Sequence, residues 1–276
     1  MYSFMRVFFL ILLVVCFLPS ANPQTASAAR SQQDSMSNAA QIHTPGAGYK
    51  FPNGQTLQYK GEWRIFEAGV VTLRMDAAGG GQQRIVGAAD STGFVAKLFR
   101  VHDVFESFFD ARTHCSLQLT KHVEEGSRVR EINIRFDNAK KKSILDQKVP
   151  STGETKHLEN DTPGCVTDVL SGIFYMGSLK LEPGMRYVFP MNDGGKTVEV
   201  RLSVEGREAI KTDAGTFNTV RVKPEGGTGK ASVQIWYTDD AAHIPVRLKS
   251  KAFWGTLTMT LKRIDRAPVT ASGSAR

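Results

Sequence analysis

The feature that most constrains the fold is a period-two alternation of apolar and polar residues, which recurs from residue 55 onward. In residues 129–137, for example, Ile132, Ile134 and Phe136 alternate with charged or amide side chains. Residues 197–204 and 256–261 repeat the pattern, and glycine-rich or Asn-Asp-Gly turns separate such segments. Alternation of this kind is typical of antiparallel strands with one buried and one solvated face, so it predicts an all-β protein.

Two segments break the alternation and have helical spacing instead. Residues 166–177 place apolar side chains at intervals of three and four, and Thr167 with Asp168 supplies an N-cap and a negative first turn. Residues 91–99 predict one short helix, with Ser91 or Thr92 as its N-cap. The sequence places Phe94, Leu98 and Phe99 on one face of that short helix.

These elements predict a single, strongly curved antiparallel sheet of about ten to fourteen strands, with one main helix packed on its concave face. The predicted shape is a half-open barrel, similar to periplasmic lipoprotein carriers. A two-sheet β-sandwich is the alternative.

The ends of the chain differ in composition from the predicted sheet. Residues 1–28 have a basic start, an apolar run over 7–18 and a small-residue cleavage site, so they are interpreted as a signal peptide, with an uncleaved N-terminal anchor as the alternative. Polar residues 29–48 predict a disordered spacer, and 267–276 predict a similar tail. A single β-rich domain is therefore expected over 49–266, in a protein exported to the periplasm or cell envelope.

The net charge of the chain and its distribution argue against nucleic acid as a partner and exclude few others. Loss of Arg6 with the signal peptide lowers the formal net charge from +8 to +7, and no later apolar run is long enough to span a membrane. The basic residues are spread over many strands, apart from a solvated turn at 140–142. Export together with this dispersion argues against nucleic acid as a partner, whereas attraction to anionic lipid or glycan surfaces stays open.

Two cysteines remain after removal of the signal peptide, Cys115 and Cys165. An even pair in an oxidising compartment favours a disulfide, and two unpaired buried thiols are the alternative. Neither cysteine has a histidine or a second cysteine at ligand spacing, so no metal site is expected.

Three sequence clusters could carry chemistry, and each has a structural explanation. Residues 226–230 are similar to a phosphate loop but lack its first glycine and its final Ser or Thr, so a hairpin loop is expected. His102, Asp103 and Glu106 could bind a metal or transfer protons, but polar residues on the solvated face of a strand explain them better. The sequence therefore predicts no catalytic residues, no cofactor and no metal.

The third cluster, Asp239, Asp240 and His243, could form an acid-base group. A turn accounts for both aspartates, because Asp side chains bond to nearby backbone groups there. Pro245, shortly after, indicates an edge strand or a bulge.

Several short motifs resemble a family of bacterial exported proteins known as domain of unknown function (DUF) 3108. The matching segments are residues 57–59, 167–175, 204–208, 213–217, 236–240, 244–246 and 254–257. The resemblance covers about residues 50–265. Family members often carry an Arg soon after the helix tyrosine, whereas Met176 follows Tyr175 here. The family brings no established activity or site.

The function predicted from these features is that of an exported, non-catalytic envelope protein that binds a hydrophobic or lipid-like ligand in an apolar groove of the curved sheet. A structural or interaction module with a filled core is the alternative, and an unrecognised hydrolase is less favoured. The candidate ligand-lining or motif residues are Trp63, Tyr175, Trp236, Asp239, Asp240, His243 and Trp254. For Trp236 and Trp254, packing in the core is favoured over lining a pocket.

Overall fold

The computed structural model describes residues 40–64, 66–226, 232–252 and 255–266, so the predicted signal peptide and C-terminal tail lie outside it. The first eight strands described are β1 (Gln55–Trp63), β2 (Phe66–Gly79), β3 (Gln82–Ser91), β4 (Val101–Asp110), β5 (Ser116–Glu125), β6 (Arg128–Asp137), β7 (Lys142–Lys148) and β8 (Thr155–Asp161). The other six are β9 (Arg186–Met191), β10 (Val198–Thr212), β11 (Gly215–Gly226), β12 (Ser232–Thr238), β13 (Pro245–Ala252) and β14 (Gly255–Arg266). Two helices accompany them, α1 (Gly93–Leu98) and α2 (Val169–Ser178).

All fourteen described strands belong to one sheet, whose order is β8-β7-β6-β5-β4-β3-β2-β1-β14-β13-β12-β11-β10-β9. Neighbouring strands are antiparallel throughout, and pairing of β1 with β14 joins the two halves of the chain. The sheet is not closed into a barrel. The predicted all-β fold with a single antiparallel sheet is confirmed, and the two-sheet alternative is wrong because the strands form one continuous ladder.

Strand β4 shows how the two faces of the sheet are assigned. Val101, Phe105 and Phe109 lie on the buried face, whereas Val104 and Phe108 lie on the half-exposed face. Apolar residues occupy both faces of this strand, so its phase cannot be read from hydrophobicity alone. Asp103 is in phase with the buried face and only 1% exposed, so its expected position on the solvated face is wrong.

Strand β8 forms from a polar segment that has no period-two alternation. It pairs with β7 over its whole length, and Leu158 faces Leu145 across the pair. Because β8 is an edge strand, most of its side chains meet solvent and the alternation that marks inner strands is missing.

Residues 40–48, the end of the predicted spacer, lie against the domain. The backbone N–H of His43 donates to the Tyr175 hydroxyl at 2.8 Å, and Ile42 packs on the hydrophobic core. This difference from the expectation arises from contacts with distant residues, which the polar composition of the segment does not reveal.

Candidate functional site

The N-terminus of α2 is held on the sheet by a buried carboxylate. Asp168 caps the helix by accepting from the backbone N–H groups of Leu170 and Ser171, at 2.8 and 3.0 Å. Its other oxygen accepts from the hydroxyls of Ser107 on β4 and Ser116 on β5, at 2.6 and 2.7 Å. Four donors thus compensate the cost of burying this charge and fix the position of the helix.

The second half of α2 is bonded to the opposite part of the sheet. The hydroxyl of Tyr237 on β12 donates to the Ile173 carbonyl at 2.6 Å, and Nδ1 of His243 lies 2.6 Å from the Gly177 carbonyl. Burial raises the pKa of the Tyr237 hydroxyl well above its ordinary value, which keeps it protonated as a donor. All ten residues of α2 are buried, so the predicted main helix is packed on its whole circumference.

The predicted disulfide joins Cys115 to Cys165. Next to it, the backbone N–H of Ser116 donates to the Val166 carbonyl at 2.8 Å. The covalent bond and this hydrogen bond tie the segment before α2 to the start of β5.

His114 precedes the disulfide and is fully buried among aromatic rings. The rings of Phe51, Phe109 and Tyr175 lie 5.3 to 5.7 Å from its imidazole, between centroids. Neither ring nitrogen has a hydrogen-bond partner among the described residues. Burial lowers the pKa of His114 to about 4, so the ring is neutral and packs as a flat apolar group. Its position was not predicted from the sequence, since one histidine before a cysteine carries no signal of burial.

The connection between β9 and β10 also enters the concave face. Asn192, Asp193 and Gly194 are buried, although the sequence predicts an ordinary hairpin turn there. A Cβ on Gly194 would lie 2.5 Å from Cδ1 of Leu145, and its φ is +99°, so the close approach requires glycine. The connection therefore packs against the inner face of the sheet.

A buried ion pair anchors that connection. The amino group of Lys121 lies 3.2 Å from the Asp193 carbonyl and 3.4 Å from its carboxylate, and both side chains are 2% exposed. The same amino group lies 5.6 Å from the centroid of the Phe105 ring. Buried pairs contribute little net stability, but breaking one is costly, so this pair determines how the connection docks.

Between α2 and the sheet there is a cavity of only about 10 Å³, lined by residues that include Leu170, Leu73 and Asp103. One oxygen of Asp103 accepts from the Glu124 backbone N–H at 2.8 Å, and the other has no partner among the described residues. Burial raises the pKa of this carboxyl to about 7. A cavity of this size holds about one water molecule and no acyl chain.

A larger concavity, of about 680 Å³, lies on the other face of the sheet over β3–β8. Hydrogen-bonded cross-strand pairs line it: Nδ1 of His122 lies 2.6 Å from Glu131, and Nδ1 of His157 lies 2.6 Å from Asp146. These groups are partly exposed, and such surface pairs contribute about 0–1 kcal/mol each. The described residues contain no group of three His, Cys, Asp or Glu side chains arranged to hold a metal ion.

The predicted cluster at 239–243 forms a turn. The Asp240 carboxylate accepts from the Thr238 hydroxyl and from the backbone N–H of His243, while Asp239 pairs with Arg207 at 2.8 Å. His243 contacts α2 instead, as described above. Pro245 lies at a register shift between β12 and β13, which is the predicted bulge.

The predicted aromatic candidates are dispersed. Trp236 is 6% exposed and lies on the outer face between Arg221 and Arg247, with its indole N–H donating to Glu208. Tyr175 is buried in α2, and Trp63 ends β1 with the Arg64 guanidinium 5.4 Å from its ring centroid. Trp254 lies outside the described residues. Trp63, Tyr175 and Trp236 therefore do not line a common pocket.

No helix in the described part of the chain has the length and apolar character that a membrane crossing requires. The search of curated proteins found no match. Among solved structures, the chain is similar to a β-barrel-like protein of DUF1849 from Brucella abortus, with a TM-score of 0.56 at 8% identity, over 83% of this chain and 100% of that one. This likeness concerns the fold.

Two weaker similarities have TM-scores of 0.36 and 0.35, each at 10% identity. One is to a protein from Bacteroides fragilis described as exported and YmcC-like in fold, over 83% of this chain and 100% of that one. The other is to a protein from Parabacteroides distasonis described as a lipoprotein, over 82% and 100%.

A family model described as "Protein of unknown function (DUF3108)" matches residues 58–262, which spans the sheet from β1 to β14 together with α2. The predicted resemblance is confirmed, and the chain belongs to the DUF3108 family.

Proposed function

We propose that this protein is an exported, non-catalytic component of the cell envelope that acts through its surface, as an interaction module with a filled core. The observation that carries the proposal is the filling of the concave face by α2 and by the connection at 192–194. Only a water-sized cavity accompanies them in the region around Leu170. A carrier of acyl chains needs an enclosed apolar pocket of several hundred Å³. The outer concavity has such a volume, but charged and hydrogen-bonding side chains line it, which favours the interaction module over the lipid carrier.

Two features support placement in the envelope. The N-terminal residues have the composition of an export signal. The disulfide between Cys115 and Cys165 is of the kind that persists in oxidising compartments outside the cytoplasm.

The arrangement of titratable groups supports a role without catalysis. In the outer concavity, His122 and His157 are paired with carboxylates on neighbouring strands, and Arg84 pairs with Glu106. The pairs are cross-strand contacts on a solvated face, which is common in antiparallel sheets. Catalytic acids and bases are typically desolvated and aimed at a common point, and these pairs are neither.

The proposal is tested by native mass spectrometry of the protein as purified from bacterial cells. We expect the mass of the bare polypeptide, whereas a retained mass of lipid size would contradict the filled core. Reduction should add two hydrogens, which provides an internal control because the same spectrum reports the disulfide.

A titration with a fluorescent hydrophobic probe complements that experiment. It uses the Phe66→Ser/Phe94→Ser/Leu98→Ser background, because these three large apolar side chains are exposed and would bind the probe. The Leu170→Ala variant is the matched positive control, since loss of this side chain enlarges the cavity beneath α2. We expect saturable binding by the L170A protein only. Saturable binding with Leu170 intact would show an accessible interior and would contradict the proposal.

A further inference from the structure

The exposed large apolar side chains of the described residues lie together at one end of the sheet. They are Phe66, Phe94 and Leu98, which are 59%, 71% and 59% exposed. Phe66 begins β2, and the other two belong to α1, which contacts the same strand. We call these three residues the apolar tip. Large apolar side chains exposed together on a protein with a well-buried core mark an interaction site.

The apolar residues of helix α1 are not buried in the fold. None of its residues is buried, and its N-cap residue, Thr92, makes no side-chain cap hydrogen bond. Of the apolar residues predicted on one face, only Phe99, just past the helix, packs against the core. Phe94 and Leu98 therefore project into solvent and add no apolar area to the core.

The surroundings of the apolar tip are basic. Because β1–β6 and β13–β14 are antiparallel neighbours, the connections after β1, β3, β5 and β13 all lie at the same end of the sheet. The exposed charged residues at this end comprise five cations and two carboxylates: Arg64, Lys97, Arg100, Arg128, Lys251, Glu67 and Asp90. This end therefore carries an excess of positive charge next to the exposed apolar side chains.

Two of these cations, Lys97 and Arg100, have little or no ion pairing with described residues. Lys97 makes no ion pair with a described residue, and the Arg100 side chain is 70% exposed, 3.6 Å from Glu124. The backbone N–H of Arg64 donates to the Thr256 carbonyl, and Lys251 pairs with Thr256 on the other side of β14, so both cations lie at the same end of the sheet. Cations therefore lie at the same end of the sheet as the apolar tip.

We propose that the apolar tip docks this protein on the surface of a membrane that contains anionic lipids. Phe66, Phe94 and Leu98 enter the boundary between headgroups and acyl chains, and the surrounding cations contact lipid phosphates. Apolar side chains flanked by Lys and Arg are the combination that binds such interfaces. The excess of positive charge at this end of the sheet favours an anionic lipid surface as the partner. An apolar protein groove would not offer complementary negative charge. This proposal is independent of the filled core, because a protein with an occupied interior could dock in the same way.

The experiment is flotation of the purified full chain with vesicles of phosphatidylcholine alone and with vesicles containing roughly one third phosphatidylglycerol. We expect binding to the anionic vesicles and weak or no binding to the neutral ones. The Phe94→Ser/Leu98→Ser protein should bind about 100-fold more weakly, since it loses most of the inserted apolar area. Lys97→Glu should weaken binding by fivefold or more, because each cation near the surface contributes about fivefold.

The matched control for K97E is Lys211→Glu, which makes the same charge change on an exposed residue. Lys211 lies near the end of β10, at the end of the sheet opposite to the apolar tip. It should bind as the wild-type protein does, because its charge lies away from the apolar tip. All variants should have the wild-type melting temperature, since none of the altered side chains is buried. Absence of wild-type binding, or equal binding by the F94S/L98S protein, would overturn the proposal. The proposal also fails if the apolar tip mediates only self-association, seen as a dimer on size exclusion that F94S/L98S abolishes.

Discussion

The two helices of this protein have similar sequence signals and opposite environments. Each follows a potential N-cap residue and carries apolar side chains at helical spacing. In α2 the cap forms, with Asp168 accepting two backbone N–H bonds, and every residue is buried. In α1 no side-chain cap forms and no residue is buried.

Apolar spacing therefore predicts a helix without predicting which surface covers it. Helix α2 is held by residues far away in the chain, such as Ser107 and Tyr237, which meet it only when the sheet has formed. Helix α1 lies in the connection between two adjacent strands, at the end of the sheet. Its apolar residues are therefore free for a partner outside the fold.

The largest expected effect comes from the cap of α2. Asp168→Ala leaves the hydroxyls of Ser107 and Ser116 and two backbone N–H groups without their acceptor. We expect a loss of about 5 kcal/mol in the free energy of unfolding, measured by urea denaturation. A loss below about 1 kcal/mol would mean that the network does not hold the helix.

The disulfide should rank next, since it fixes the entrance of α2. Replacing Cys115 and Cys165 together by serine opens a loop defined by a sequence separation of 50. By the loop-entropy estimate, this costs about 4 kcal/mol. Urea denaturation of the oxidised and reduced wild-type proteins provides the comparison, and reduction of the double-serine protein should have no effect.

The buried carboxyl of Asp103, beneath α2, should make stability depend on pH. Its pKa is raised from 3.8 to about 7, so the folded protein keeps a proton that the unfolded chain releases near pH 4. Raising the pH from 4 to 7 should therefore destabilise the fold, by about 3 kcal/mol from this group. Asp103→Asn stays neutral and should lose this part of the dependence. Parallel pH profiles of the two proteins would contradict the assignment.

The smallest expected effects belong to α1. Thr92→Ala removes a side chain that makes no cap hydrogen bond, so we expect a change within about 0.5 kcal/mol, in contrast to the corresponding substitution at the cap of α2. Differential scanning calorimetry is sensitive enough to detect it as a small shift in Tm. A loss above about 1 kcal/mol would show that α1 contributes to the fold, and the contrast between the helices would disappear.

The sequence alone was enough to predict the structural features whose signal lies in a short segment or in the cysteine content of the chain. Alternation at period two predicted the strands, and the spacing of apolar residues with Asp168 predicted α2. The cysteine pair, the turn at Asp240 and the DUF3108 motifs were also predicted correctly. Each of these signals lies in a short segment, or follows from the tendency of an even pair of cysteines to form a disulfide in an oxidising compartment. No knowledge of distant contacts is needed for either.

Where local signals are ambiguous, packing between distant segments fixes which side chains are buried. Asp103 lies in the core because β4 carries apolar residues on both faces and packing selects one of them. Polar residues 192–194 pack inside because Lys121, from a strand far earlier in the chain, supplies a partner. Phe94 and Leu98 stay exposed because their helix lies beyond the end of the sheet. Burial depends on surfaces that distant segments build together, and a local sequence pattern contains no record of them.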